Sequence, residues 1–131
     1  MKVKPIKIEL DDEQKKFFKS ASTSRYQITP GKSYLVFSIE FVPGSVTDFT
    51  LYRIVDDGGR LLPVPACLME IVDRRCSKYW QAVYNQERFS LVLEPVEFAD
   101  DPYLSEAILD GEPDAVAVFR LIQERMESEG R

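Results

Sequence analysis

The chain has no histidine in its 131 residues. That absence removes at once the commonest general base, the usual activator of serine and cysteine nucleophiles, and the commonest transition-metal ligand. Most hydrolase and metalloenzyme readings close with it. Cysteine is almost as scarce: Cys67 and Cys76 stand nine positions apart with no CxxC spacing, so neither structural zinc nor a disulfide is expected. Cys67, inside an apolar run, is expected to be a small buried hydrophobe, and Cys76, between Arg75 and Ser77, the more exposed of the two. There is no G-x-S-x-G elbow, no phosphate-binding glycine loop and no dinucleotide fingerprint. Catalysis is disfavoured, with carboxylate, lysine or tyrosine chemistry left open, and no cofactor or metal is expected.

Long hydrophobic stretches are also missing. The longest apolar runs, at 34–39 and 115–119, fall far short of the roughly 20 residues that a membrane span needs. The first ten residues alternate lysines with apolar side chains and lack a continuous apolar centre, so they are not expected to act as a signal peptide. A soluble, cytoplasmic protein is the expectation. With 44% apolar and 11% aromatic content, residues 1–131 suffice for one core and one domain.

The patterning that is present is mostly of strand type. Residues 3–10 alternate Lys and apolar positions, as an edge or half-buried strand with Pro5 would. A short helix follows, capped by Asp11 or Asp12, favoured by Glu13 and burying Phe17 and Phe18, and a serine-rich loop at 20–24 ends it. After a turn at 29–32, residues 33–42 form a strand rich in β-branched and aromatic side chains, and Pro43-Gly44 turns the chain into a second strand at 48–55. Asp56-Asp57-Gly58-Gly59 poses a choice between a metal-binding acid pair and a hairpin turn. Adjacent strand residues point opposite ways, and Asp-Gly chemistry suits a tight reversal, so the turn is preferred.

Extended segments at 60–64 and 67–72 come next, then a hairpin joining 79–84 to 89–93 across 85–88. Pro95 ends the sheet. Asp100 or Asp101 then caps a short helix with Pro102 in its first turn, and a second helix opens near Pro113 with Ala115, Val118, Phe119, Ile122 and Met126 on one core-facing side. Strands followed by terminal helices predict an α+β fold: a small curved antiparallel sheet of about five or six strands, or an SH3-like partial barrel, with a short N-terminal helix and C-terminal helices. The SH3-like option rests on the G-K-x-Y-x-V strand opening and the D-D-x-G-x-x-x-x-x-P turn within residues 29–73.

Charge is uneven. Residues 1–32 carry 8 basic and 4 acidic side chains, residues 33–96 carry 6 and 8, and residues 97–131 carry 3 and 10. An acidic C-terminal third repels phosphate backbones, so nucleic-acid binding there is not expected; it either attracts a basic partner or forms a solvated helical face. Glu94, Glu97, Asp100, Asp101, Tyr103, Glu106, Asp110, Glu112 and Asp114 are the candidate partner-binding residues. Tyr79, Trp80 and Tyr84 are further aromatic candidates, Trp80 reading as core before interface.

The segments ITPGKSYLVFSIEF and YRIVDDGGRLLPVPACLMEIVDRRCSKYWQAVY resemble small bacterial immunity proteins of polymorphic and contact-dependent growth inhibition toxin systems. The resemblance implies a role, with no catalytic or metal residues. The chain would bind a cognate toxin domain, a basic nuclease suiting its acidity, and neutralise it by occlusion, as a monomer or weak dimer away from any membrane. The alternative is a small β-barrel adaptor or nucleic-acid-associated module using Lys2, Lys4, Lys7, Lys15, Lys16 and Lys19 of the basic N-terminal third.

Overall fold

The computed structural model describes residues 1–17, 25–44 and 49–129. Its elements begin with strand β1 (Lys2–Pro5), helix α1 (Asp12–Phe17) and strands β2 (Tyr34–Leu35), β3 (Ser38–Val42), β4 (Phe49–Val55) and β5 (Leu61–Pro65). A 3₁₀ turn (Ala66–Leu68) leads to strands β6 (Met69–Asp73), β7 (Trp80–Asn85) and β8 (Ser90–Pro95), and helices α2 (Val96–Asp100), α3 (Leu104–Leu109) and α4 (Pro113–Ser128) follow. The class is α+β. The strands pair antiparallel in two sheets, of order β2-β1-β6 and β5-β4-β3-β8-β7, that do not close into a barrel. The burial expected for Phe17 and Phe18 and the serine-rich loop at 20–24 lie outside the described residues and side chains.

The apolar run at 33–42 divides instead of forming one strand. Tyr34 and Leu35 pair with β1, whereas Ser38 opens β3 between β4 and β8. At the crossing, Val36 donates its N–H to the Met1 carbonyl (3.0 Å) and Phe37 donates to the Arg53 carbonyl (2.8 Å). The chain thus changes sheets with both backbone donors satisfied. Val36 enters one core and Phe37 the other. A second crossing occurs at the 3₁₀ turn between β5 and β6, and it corrects the expectation for Cys67. The turn interrupts the apolar run so that Leu68 is fully buried while Cys67 is exposed, as is Cys76, and both thiols are free.

Strand parity explains the two cores, because alternate side chains leave opposite faces of the large sheet. Ile39, Tyr52, Ile54 and Val64 meet Val3, Tyr34, Val36 and Leu68 on the side of the small sheet. On the other face Leu61, beside Phe37, meets Phe98, Leu104, Ala115, Phe119, Ile122 and Met126 of α2, α3 and α4. The Phe119 ring lies edge-on to Phe37 at 5.1 Å and to Phe98 at 6.4 Å, the arrangement that aromatic quadrupoles favour. Trp80 touches both cores and donates its indole N–H to the Phe37 carbonyl at 2.9 Å.

Local chemistry places the helix ends. Asp11 accepts the Gln14 N–H at 2.7 Å while Gln14 accepts the Asp11 N–H at 3.0 Å, a reciprocal cap at the start of α1. Pro113 occupies the first turn of α4, and Gly111, at φ +74°, makes the reversal before it. The single short helix expected after Pro95 is two. Pro95 leads into α2, and Asp101 accepts the Tyr103 N–H (3.0 Å) in the turn that opens α3.

Candidate functional site

The helices cover only part of their face of the large sheet. The uncovered part is an open groove of about 630 Å³. Its floor is built from side chains of one parity on four strands: Glu40 of β3, Arg53 of β4, Val83 and Asn85 of β7, and Val92 and Glu94 of β8. Phe98, Asp101, Tyr103 and Glu106 form the wall where α2 turns into α3, and Glu87 and Arg88 of the β7–β8 hairpin stand opposite.

Charges alternate across the floor. Glu40 accepts the Ser90 hydroxyl at 2.8 Å and pairs with Arg88 at 3.3 Å. Arg53, half-buried, lies in the field of both Glu40 and Glu94. Burial lowers its pKa, and the two carboxylates oppose that shift. Burial likewise raises the Glu94 pKa; Arg53 works against the shift and Glu40 adds to it. The floor is therefore largely neutralised from within, whereas Glu87, Asp101 and Glu106 are exposed on the walls. The groove as a whole remains negative.

The nine candidate residues separate into three groups. Glu94, Asp101, Tyr103 and Glu106 come together in the groove, with Tyr103 71% exposed at its rim. Glu97 is held by Arg125 through two bonds of 2.7 and 3.0 Å, which keep its carboxyl below the usual range. The same guanidinium lies 4.5 Å over the Tyr79 ring, so Glu97 and Tyr79 brace α2, α4 and the start of β7. Asp100, Asp110, Glu112 and Asp114 are exposed but do not line the groove. Glu40, Arg53, Glu87 and Arg88 belong to the site and were not among the sequence candidates. For Glu40 and Arg53 the signal is a lone charge at an alternating position of an apolar strand, as in SIEFV and FTLYRIV. Glu87 and Arg88 lie in the hairpin turn, where charge is ordinary and gives no such signal.

Asp56 and Asp57 do not share a ligand position. Asp56 is buried and accepts the N–H groups of Gly58 (3.0 Å) and Arg60 (2.9 Å), closing the β4–β5 hairpin. Gly59 supplies the positive φ, +79°. Asp57 turns the other way, to Lys32 Nζ (2.8 Å), Thr29 Oγ1 (2.6 Å) and the Tyr34 hydroxyl (2.6 Å). Among the described residues no three His, Cys, Asp or Glu side chains are grouped as a metal ligand set.

Three lysines of the basic N-terminal third are balanced locally. Lys7 pairs with Asp11 at 3.3 Å, Lys15 lies 4.0 Å from both Glu9 and Asp12, and Lys32 is bound to Asp57. Lys2 and Lys4 lie on β1, Lys16 on α1, and Lys19 outside the described residues. No helix among the described residues is long and apolar enough to cross a membrane. No protein-family model, curated protein or solved structure matches this chain.

Proposed function

We propose that the chain is a non-catalytic binding protein whose acidic groove receives a basic protein surface. In the form implied by its resemblance, it is a cytoplasmic immunity protein that occludes a cognate toxin domain, a basic nuclease. The observation that carries this reading is the set of exposed carboxylates, Glu87, Asp101 and Glu106, around an open groove on whose floor Glu40 is paired with Arg88 and Arg53 lies in the field of Glu40 and Glu94. Carboxylates on open walls steer a cationic surface without moving during the encounter. Tyr103 offers an amphipathic anchor beside them.

The immunity reading requires a toxin domain encoded beside this chain, and co-expression with that domain tests the role. The expected result is survival of the cells and recovery of a one-to-one complex. Failure to rescue, with both proteins present and folded, contradicts the immunity reading.

A further inference from the structure

β5 and β7 form the two margins of the large sheet. A margin offers unpaired N–H and C=O groups to any incoming strand, and natural sheets commonly block it with proline, charge or a bulge. The two margins differ in this respect. β5 carries Pro63 and Pro65 and runs straight into the 3₁₀ turn. β7, with sequence WQAVYN, has neither proline nor a charged side chain. It pairs with β8 in unbroken register from Trp80↔Pro95 to Asn85↔Ser90. Among the described residues no strand pairs with its outer side, and Gln81, Ala82 and Tyr84 are exposed there. An apolar row made by Tyr84, Leu91 and Phe41, 51%, 41% and 42% exposed, runs inward from this margin.

We infer that β7 is a self-association edge, at which two copies pair antiparallel about a two-fold axis through Val83. A continuous sheet requires opposed residues to share a face, and strand parity limits the registers that allow it. Centring on Val83 sets Tyr84 of one copy against Ala82 of the other, large against small. On the opposite face it sets Gln81 against Asn85, two neutral amides able to bond each other. Centring on Ala82 would instead oppose Tyr84 to Trp80, whose indole is already engaged with Phe37.

Charge does not decide the register, which sets Lys78, at one end of β7, opposite Arg88 at the other. Each is engaged within its own chain, Lys78 over the Tyr79 ring and Arg88 with Glu40. β7 itself bears none of the chain's net charge of −5. Both grooves then open on the same side of the joined sheet. A five-residue strand contact is small beside the roughly 1,000 Å² expected of a stable interface, so association is weak and reversible. The inference stands without the groove's proposed role.

Sedimentation velocity over a concentration series, combined with cysteine cross-linking, tests it. On a background of Cys67→Ser and Cys76→Ser, Val83→Cys is expected to form a disulfide-linked dimer under mild oxidation, because the two thiols face each other across the axis. Asn85→Cys, opposite Gln81 of the second copy, is expected to cross-link far less. Tyr84→Lys, at an exposed position, should weaken self-association by about tenfold or more while leaving the circular dichroism spectrum unchanged. A chain that stays monomeric at its highest soluble concentration overturns the inference. So does a dimer that Tyr84→Lys leaves intact, or one that cross-links through position 85 in preference to 83.

Discussion

Asp57 shows how one carboxylate ties distant parts of the chain together. Lys32, Thr29 and Tyr34, in that order of effect, hold its pKa down from 3.8 to about 2. A depressed carboxylate stabilises the folded state above its unfolded pKa, and that contribution is lost as pH falls toward the folded value. Asp57→Asn should therefore lower stability at neutral pH and flatten the acid limb of the stability curve between 3.8 and about 2, as denaturant unfolding at stepped pH would measure. An acid limb as steep as in the parent chain would contradict this assignment. The turn itself was legible in the sequence, because Asp-to-backbone bonds and a positive-φ glycine are local chemistry. The partners of Asp57 were not, since Thr29, Lys32 and Tyr34 reach it only after β2 and the β4–β5 hairpin have met.

Among the elements, α4 carries the clearest division between buried and solvent-facing positions. Phe119 lies between Phe37 and Phe98, whereas Leu121, two residues on, is 68% exposed. Phe119→Ala should cost about 3–5 kcal/mol of unfolding free energy, and Leu121→Ala about 0.5 kcal/mol or less, in urea titrations of the two variants. Similar losses at both positions would mean that α4 packs by another face. The helix was legible because its three- and four-residue apolar spacing is an internal property of the segment. The break in the run at 33–42 was not, because that run has strand propensity throughout. Its division is decided by Met1 and Arg53, which accept the N–H groups of Val36 and Phe37 from distant positions. The five-residue α2 is too short for periodicity to reveal it. The groove was half legible: Asp101, Tyr103 and Glu106 lie on one contiguous acidic segment, whereas Glu40, Arg53 and Glu94 meet only through strand pairing.

Across the whole molecule, charge is sorted into paired and unpaired sets. Lys7, Lys15 and Lys32 are matched by nearby acids, Glu97 is matched by Arg125, and opposite charges offset one another on the groove floor. The acids of the groove walls stand in solvent, free to act on an approaching cation. Steering of this kind works on the association rate and weakens with salt, because exposed charges are screened within about 10 Å at 0.1 M ionic strength. The most direct test of the account is stopped-flow association of the chain with the basic toxin domain proposed as its partner across a salt series, repeated with Asp101→Lys and Glu106→Lys combined. The account predicts an association rate that falls steeply with salt in the parent chain and is about tenfold or more slower in the variant at low salt. A rate indifferent to both salt and charge reversal would contradict it.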